Sequence, residues 1–253
     1  MAQSIETRNI TYQYDTETGQ VLAVKDVSFS VAPSEFLCVL GPSGCGKTTI
    51  LNMLAGFLVP TQGEILIGGE PIGGQSQNRG VVFQDFAQLF PWRTARRNVE
   101  FGLEMRGMPE AERRETALNF LRLVKLEKFA DAYPHQLSGG MQQRVAIARA
   151  LAYNPGVLLM DEPFAALDAM TREEMQKQLI EVWQETKKTI VYITHNVAEA
   201  VYLADQILVL AAHPGTVKAR LRLDLPRPRD PLSVEFVELQ RKVLQHLTHQ
   251  HGG

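Results

Sequence analysis

A glycine-rich stretch near the start of the chain has the spacing of a phosphate-binding loop. Residues 41–48 spell GPSGCGKT and fit the pattern G-x-x-x-x-G-K-[ST]. Glycines let consecutive backbone N–H groups curl around phosphate oxygens, and a helix start adds positive potential. Lys47 would neutralise the β- and γ-phosphates of a nucleoside triphosphate, and the Thr48 hydroxyl would be a ligand of Mg²⁺. The predicted nucleotide-contacting set here is Gly41, Pro42, Ser43, Gly44, Cys45, Gly46, Lys47, Thr48 and Thr49.

An acidic pair follows a short apolar run in the second half of the chain. The run Val157–Met160 leads into Asp161 and Glu162, which places the carboxylates at the C-terminal tip of a predicted buried strand, where ligands of open α/β sheets bind. Asp161 would hold Mg²⁺ through water, and Glu162 is the candidate base or polariser for the attacking water. Such a run is common at strand ends, so its position downstream of a phosphate loop is what favours a catalytic role.

A histidine lies at the end of another predicted strand. His195 follows the segment 189–194 and could hydrogen-bond a γ-phosphate or the Glu162 carboxylate. A lone histidine is usually structural or solvated. Three strand ends expected at one sheet edge favour the functional interpretation.

The segment LSGGMQQR at residues 137–144 introduces a predicted helix running to about Tyr153. Ser138 can cap that helix, while Gly139 and Gly140 expose its first N–H groups. These features predict either a second phosphate-binding helix start or an ordinary capped helix.

Apolar patterning predicts the elements that carry these residues. Phe36–Leu40 is continuously apolar, which is typical of a strand buried on both faces. A helix is expected from Lys47 to about Gly56, a natural C′ residue. Strands at 157–160, 189–194 and 206–210 alternate with helices such as 171–186, which predicts a mostly parallel sheet.

Two other regions depart from this alternation. Val27–Val31 has the period of a half-buried antiparallel strand, and Glu64–Ile72 that of a hairpin around Gly68 and Gly69. Residues 88–154 have a helical pattern. The predicted fold class is therefore α/β: a P-loop NTPase core with a mostly parallel sheet, an N-terminal antiparallel β-layer, and a helical insert that carries the LSGG segment.

Composition limits the functional classes. The formal net charge is −2, so no global positive field indicates a nucleic-acid partner. Four arginines near the end form a local basic stretch that we expect to be solvated surface: Arg220, Arg222, Arg227 and Arg229. The two cysteines, Cys38 and Cys45, predict neither a disulfide framework nor a zinc site. Neither a secretory signal nor a membrane span is predicted, so any work at a membrane would go through a partner.

The phosphate loop, LSGGMQQR before V-L-L-M-D-E, and a Thr-His after the next strand together resemble the ATP-binding subunit of an ABC transporter. The resemblance covers roughly residues 4–215. It implies that Tyr14 stacks on adenine, with Tyr12 as the alternative ring. Gln84 would be a Q-loop contact to Mg²⁺ and to the membrane partner. Ser138 and Gly140 would touch the γ-phosphate of ATP on the opposite subunit.

The resemblance also assigns Asp168 as the D-loop aspartate and His195 as the switch histidine. Ala165 and Asn196 depart from the residues that the family often has at these positions. The element L-F-P-W-R at residues 89–93 resembles the nitrate, sulfonate and taurine importer branch. Phe90 and Trp92 would form an apolar rim for a partner helix, or would pack within the insert.

These features predict an ATPase that energises an importer of a small anion. The domains would be 1–215 for the ABC-type ATP-binding domain, with the insert at about 88–154, and 216–253 for a C-terminal extension. Predicted partners are a second copy or a close paralogue, transmembrane permease subunits and, indirectly, a solute-binding protein, but no nucleic acid. The resemblance implies ATP and Mg²⁺ as cofactors and a peripheral location on the cytoplasmic face of the inner membrane.

Three alternatives share some of these motifs. A DNA-maintenance ATPase would carry a long coiled-coil or zinc-bearing insert between the phosphate loop and the LSGG segment, and this chain has neither. A non-hydrolysing scaffold, such as a cluster-assembly factor, is disfavoured by Glu162. An exporter commonly fuses this domain to membrane spans.

Overall fold

The computed structural model describes residues 1–17, 19–84 and 89–248. The chain divides into two compact units. One consists of Ala2–Ser76 with Thr189–Gly253 and is called the loop unit, because it contains residues 41–48. The other consists of Gln77–Lys188, with Met1, and is called the signature unit, because it contains residues 137–144.

Strands and helices follow one another along the chain with these bounds. The strands are β1 (Ile5–Thr16), β2 (Gly19–Val31), β3 (Phe36–Leu40), β4 (Gln62–Ile67), β5 (Glu70–Pro71), β6 (Arg79–Val82), β7 (Val157–Asp161), β8 (Thr189–Thr194), β9 (Gln206–Ala211) and β10 (Thr216–Arg222). The helices are α1 (Lys47–Ala55), α2 (Ala95–Met105), α3 (Glu110–Leu123), α4 (Gly139–Ala152), α5 (Ala169–Thr186), α6 (Val197–Leu203) and α7 (Val234–Thr248). Short 3₁₀ turns lie at Glu127–Phe129 and Pro134–Gln136.

The loop unit contains the antiparallel layer, a sheet of order β2-β1-β4-β5. The predicted strand at Val27–Val31 is the end of β2, and the predicted hairpin is β4 and β5 joined through Gly68 and Gly69. Both glycines have positive φ, 64° and 86°, which suits a tight two-residue hairpin turn. The expected N-terminal antiparallel β-layer is confirmed.

The loop unit also contains parallel strands, and β3 is the central one of them. It pairs in parallel with β8 on one side and β9 on the other. All five of its residues are buried, and each such apolar side chain contributes about 1.5–3 kcal/mol through burial. Because parallel strands end at the same edge, residues that follow β3 and β8 are carried to one edge of this sheet.

Strand β10 was not foreseen from the sequence. β10 pairs antiparallel with β9, and Arg220 and Arg222 on it are exposed, as expected for solvated arginines. Arg227 and Arg229 contradict that expectation. Arg229 is 5% exposed, and its guanidinium donates to the carbonyl oxygens of four residues: Val201, Tyr202, Ala204 and Leu225.

Both side chains donate to carbonyl groups at the end of α6, Arg229 from a buried position and Arg227 from a half-buried one. Arg227 binds the Asp205 carboxylate at 2.5 Å and the Leu203 carbonyl. Burial lowers the pKa of Arg229 to about 10, so its guanidinium remains charged at neutral pH. A cation at a helix C-terminus also complements the helix dipole. The segment that carries Arg227 and Arg229 therefore holds the C-terminal end of α6 in place.

The signature unit contains the helical insert and a parallel strand pair. β6 pairs with β7, and the run Val157–Met160 is buried as predicted. Helices α2, α3 and α4 pack on one another, and α4 also packs on β6. The helical character expected for 88–154 is confirmed over its described part.

None of the helices within the three described ranges combines the length and the apolar character that a membrane span requires.

Candidate functional site

The phosphate loop of the loop unit is the turn between β3 and α1. Gly46 lies at the N-cap of α1 with φ 84°. A Cβ placed there would lie 2.7 Å from Val24 Cγ2 and 2.9 Å from the Ala23 carbonyl oxygen, so the position requires glycine for its φ and for its contacts. No acidic residue lies in the first turn of α1, so the positive end of that helix is uncompensated there.

Lys47 brings a positive charge into the loop itself. Its side chain is 7% exposed, and its ammonium donates to the carbonyls of Gly41 at 2.9 Å and Pro42 at 3.1 Å. Cys45 is buried and free, and burial raises the pKa of its thiol. The loop therefore offers an ammonium and a helix start for anions, while its cysteine stays a neutral packing residue.

Tyr14 is the tyrosine that the structure places beside the start of α1. Its hydroxyl lies 3.1 Å from the hydroxyl of Thr49, and its side chain is 37% exposed. The ring of Tyr12 packs edge-on against it, with centroids 4.9 Å apart. The contact with Thr49 favours Tyr14 over Tyr12 for stacking on a base of a nucleotide held in the loop.

His195 lies where β8 ends, on a turn held by a buried glutamate. Glu199 is 5% exposed, and its carboxylate accepts from the Tyr192 hydroxyl at 2.8 Å and from the Thr194 hydroxyl. The side chain of Asn196 accepts from the Glu199 backbone N–H at 3.2 Å and caps α6. The exposed His195 thus lies between Thr194 and Asn196, which both hydrogen-bond Glu199.

That turn explains one departure from the family pattern. Asn196 stands where an acid is often found, and its amide oxygen serves as the N-cap of α6 without needing a charge. Glu199 was not singled out from the sequence, because its role depends on the two hydroxyl groups of β8 that face it.

In the signature unit, Ser138 is the N-cap of α4. Its hydroxyl accepts from the backbone N–H of Met141 at 3.3 Å, and the residue is exposed. Gly140 is buried against α5, because a Cβ there would lie 2.9 Å from Thr171 Cγ2. The second glycine of LSGG therefore allows close approach of two helices, while the exposed cap leaves the helix start open to a ligand.

The acidic pair also lies in the signature unit, at the end of β7 as predicted. Asp161 is the last residue of the strand and Glu162 follows it; both side chains are half-buried. Glu162 has φ 41°, in the left-handed region that costs a non-glycine residue about 1–3 kcal/mol. The turn is closed by a hydrogen bond from Ala165 N–H to the Glu162 carbonyl at 3.1 Å.

Asp168 ends the same turn and caps α5. Its carboxylate accepts from the backbone N–H of Thr171 at 3.1 Å, and hydrogen bonds from Thr171 lower the pKa of the Asp168 carboxyl. Arg172 donates to the carbonyls of Phe164 and Leu167. The side chains of Asp168 and Arg172 thus hold residues 164–168 in a fixed conformation.

Gln143, to which no role was assigned from the sequence, connects the segments that follow β6 and β7. Gln143, on α4, is fully buried, and its amide nitrogen donates to the carbonyl of Phe83 at 3.3 Å and that of Pro163 at 2.5 Å. Phe83 precedes Gln84, which is exposed at the end of β6, and Pro163 follows Glu162. Gln84 and Glu162 therefore both adjoin backbone groups held by one side chain.

The turn at residues 90–93 is stiffened by Asn98, which is fully buried. The Asn98 amide oxygen accepts from Phe90 N–H at 2.8 Å, and its nitrogen donates to three carbonyls, those of Phe90, Arg93 and Thr94. Phe90 packs against Phe101 with ring centroids 4.6 Å apart. Trp92, in contrast, is 72% exposed.

Each of the two interpretations of the aromatic pair, packing within the insert or a surface for a partner, fits one of the two residues. Phe90 packs within the insert, with Arg149 over its ring at 5.6 Å, while Trp92 is available to a partner. The residues between Gln84 and Leu89 lie outside the described part of the chain.

The side-chain oxygens of the predicted metal ligands are of the kind that binds Mg²⁺ together with phosphate groups. Within the described ranges, no cluster of three or more His, Cys, Asp or Glu side chains could hold a metal by itself. Mg²⁺ keeps several waters and is usually bound through one or two carboxylates together with substrate phosphates. A hydroxyl at the start of α1 (Thr48) and a carboxylate at the tip of β7 (Asp161) are donors of that kind.

The chain is similar to proteins of known kind over most of its length. It is 51% identical to an uncharacterized ABC transporter ATP-binding protein of Methanocaldococcus jannaschii, over 98% of this chain and 92% of that protein. A taurine import ATP-binding protein of Pseudomonas entomophila is 51% identical over 87% of this chain and 84% of its own. A nitrate import ATP-binding protein of Synechocystis is 46% identical over 88% and 83%.

The fold has solved counterparts as well. A dimeric ATP-binding cassette, bound to ADP and inorganic phosphate in a post-hydrolysis state, superposes with a TM-score of 0.76 at 36% identity, covering 88% of this chain and all of that one. The family model for ABC transporters matches residues 24–165, which span the phosphate loop, the LSGG segment and the acidic pair. The chain belongs to the ABC transporter family, as an ATP-binding subunit.

Proposed function

We propose that this chain is the ATPase subunit of an ABC importer for a small anionic solute of the nitrate, sulfonate or taurine type. The observation that carries the proposal is the high identity to import ATP-binding proteins named for nitrate and for taurine, over more than four fifths of each chain. The L-F-P-W-R element at residues 89–93, from which the sequence alone predicted this branch, supports the same solute class.

In the proposed reaction, residues 41–49 bind the phosphates of ATP and Tyr14 stacks on adenine. Lys47 neutralises charge on the β- and γ-phosphates. Thr48, Asp161 and Gln84 are the proposed oxygen donors to a Mg²⁺ ion, which would offset the negative charge of the phosphates. Glu162 accepts a proton from the attacking water, and His195 hydrogen-bonds the γ-phosphate. The strained φ of Glu162 supports this role, because such strain concentrates at functional sites.

We propose further that two copies work as a pair, with two ATP molecules held between them. Each chain has one phosphate loop and one capped, exposed helix start at Ser138, and each of these features suits a phosphate group. In the pair, the start of α4 on one copy contacts the γ-phosphate bound by the other, together with Gly139, Gly140 and Asp168. The dimeric state of a solved relative supports this arrangement.

The partners follow from the same proposal. Permease subunits would bind the ATPase at the cytoplasmic face of the membrane, and a solute-binding protein would deliver the solute to them. The solute itself never touches this chain. Reconstitution with permease and binding protein, followed by a screen of nitrate, taurine and other sulfonates, tests the solute class. One of these anions should stimulate ATP hydrolysis; stimulation only by cationic or neutral solutes contradicts the proposal.

We expect the Trp92 side chain to contact the permease. Trp92→Ala should leave the melting temperature and the basal ATPase rate of the isolated subunit near wild type, because the indole is 72% exposed. It should weaken co-purification with the permease and abolish solute-stimulated hydrolysis, since interfaces rely on few aromatic anchors. Pull-down and ATPase assays on the reconstituted transporter measure both effects.

Two variants control this experiment. Leu232→Ala removes another exposed apolar side chain, 89% exposed, and should not affect permease binding. Phe90→Ala should instead lower stability by about 2 kcal/mol, because it empties the packing around Phe101. Normal permease binding by Trp92→Ala would show that the docking surface lies elsewhere.

A further inference from the structure

Two adjacent glutamines of α4 use their side chains in parallel ways. The Gln142 amide nitrogen donates to the carbonyls of Pro134 at 3.0 Å and Leu137 at 3.1 Å. The next residue, Gln143, donates to those of Phe83 and Pro163. Gln142 therefore attaches the loop that precedes Ser138 to α4. Gln143 attaches the segments that follow β6 and β7 to the same helix.

The side-chain amide of Gln143 can hold two backbone segments at once. An amide NH₂ carries two protons, and here each is directed at a different main-chain carbonyl, one 60 and one 20 residues away in sequence. The side chain is fully buried, so water cannot replace either bond. A buried carbonyl that loses its donor keeps its full desolvation penalty, which makes both contacts specific constraints on the backbone.

Both carbonyls lie close in sequence to residues with proposed roles. The Phe83 carbonyl is part of the peptide bond to Gln84, and the Pro163 carbonyl lies one residue beyond Glu162, whose backbone is in the left-handed region. Movement of the Phe83–Gln84 peptide would redirect the Gln84 side chain, and displacement of Pro163 would shift the backbone of Glu162, which precedes it. Because Ser138 is the N-cap of α4, the same helix carries the cap that is proposed to contact the nucleotide of the opposite copy.

We propose that Gln143 is a positioning residue of the ATPase reaction, which locks the backbone beside Gln84 and beside Glu162 to the helix that begins at Ser138. This inference rests on the proposed function. Closure of the start of α4 on a nucleotide would thereby move Gln84 and Glu162 together. Because Gln143 is fully buried, its contribution is indirect: it holds the base at the distance and angle that proton transfer requires.

The test compares Gln143→Leu with Gln178→Leu, using full-length protein and Mg·ATP. Gln178 is a matched control: it is 4% exposed, lies on α5 of the same unit, and its amide makes no hydrogen bond among the described residues. Gln143→Leu should lower kcat by about tenfold or more, because small displacements of a catalytic group have large effects on rate. Its KM for ATP should stay within about twofold of wild type, since the phosphate loop is untouched. Gln178→Leu should change neither parameter.

A merely structural role for Gln143 would give a different result. After correction for the folded fraction from thermal melting, kcat of Gln143→Leu would then equal that of Gln178→Leu, and this outcome overturns the proposal. A KM that rises in proportion to the loss of kcat also overturns it. If wild-type protein itself fails to hydrolyse ATP, the proposed function fails instead, so the two failures are distinguishable.

A second variant covers the case in which Gln143→Leu does not fold. In Gln143→Glu, a neutral carboxylic acid can still donate one hydrogen bond, whereas the carboxylate would face carbonyl oxygens and repel them. Burial raises the pKa of such a glutamate above its ordinary value. The ratio of variant to wild-type kcat, per folded molecule, should therefore fall as the pH rises from 6 to about 8.5. A flat ratio near one overturns the proposal.

Discussion

Replacing Glu162 by glutamine should reduce steady-state ATP turnover by about 10² or more, while ATP still binds. Glutamine keeps the shape of the side chain and removes the carboxylate that accepts a proton from water. The left-handed backbone at this residue, φ 41°, costs a glutamine about as much as a glutamate. The substitution therefore isolates the charge from the geometry of the turn.

Phosphate release under saturating ATP measures turnover, and equilibrium binding of a fluorescent ATP analogue measures affinity. Glu174→Gln is the matched control, because it removes an exposed carboxylate from α5 of the same unit and should leave both quantities unchanged. Turnover of Glu162→Gln close to the wild-type rate would remove Glu162 from the role of base.

Two inactive chains should restore activity when they are mixed. Lys47→Ala removes the ammonium from the phosphate loop, and Ser138→Arg places a bulky side chain at the start of α4. If each ATP is shared between two copies, each variant alone is inactive. A mixed pair combines the normal Lys47 of one chain with the normal Ser138 of the other and so keeps one intact site.

The recovered rate should be about a quarter of wild type, because roughly half of randomly paired dimers are mixed and each keeps one of two sites. Differently tagged chains, co-purified in sequence, show that mixed pairs form. Ser138→Ala serves as a milder control, since it removes only the cap, at a cost of about 1 kcal/mol. Absence of recovery in demonstrated mixed pairs would argue against sites shared between copies.

The phosphate loop and its supporting elements were predictable because their signals are local. A continuous apolar run gives β3, the glycines provide the positive φ at Gly46, and α1 begins and ends where the pattern and Gly56 indicate. The same holds for β7 and β8, whose apolar runs end at Asp161 and Thr194. In each case the residues that set the structure lie within one element.

The predictions failed where distant backbone groups decide the outcome. Arg229 looked like a solvated cation, but carbonyls at 201–204 accept its hydrogen bonds from 25 to 28 residues away. A single-residue property such as charge cannot reveal those acceptors. Gln143 was missed for the same reason, since its acceptors are the carbonyls of Phe83 and Pro163. Glu199 was missed because its role depends on the side-chain hydroxyls of Tyr192 and Thr194, which the fold brings to it.

The environments of Phe90 and Trp92 were predictable only in part. The sequence placed Phe90 and Trp92 on one short turn and offered two interpretations, core packing or a partner surface. Exposure separates them, because Asn98 fixes a turn in which Phe90 is half-buried and Trp92 is exposed, although their ring centroids lie 5.6 Å apart. Adjacent residues in irregular backbone have no fixed period, so their orientation does not follow from spacing.

The most direct test of the account is whether ATP itself joins two copies. Glu162→Gln protein binds ATP without consuming it, so the proposed pair should accumulate. Size-exclusion chromatography with light scattering should show a monomer without nucleotide or with Mg·ADP, and a dimer with Mg·ATP. The same shift should be absent from the double variant Glu162→Gln/Ser138→Arg. A monomer under all three nucleotide conditions, with ATP binding confirmed, would contradict the account.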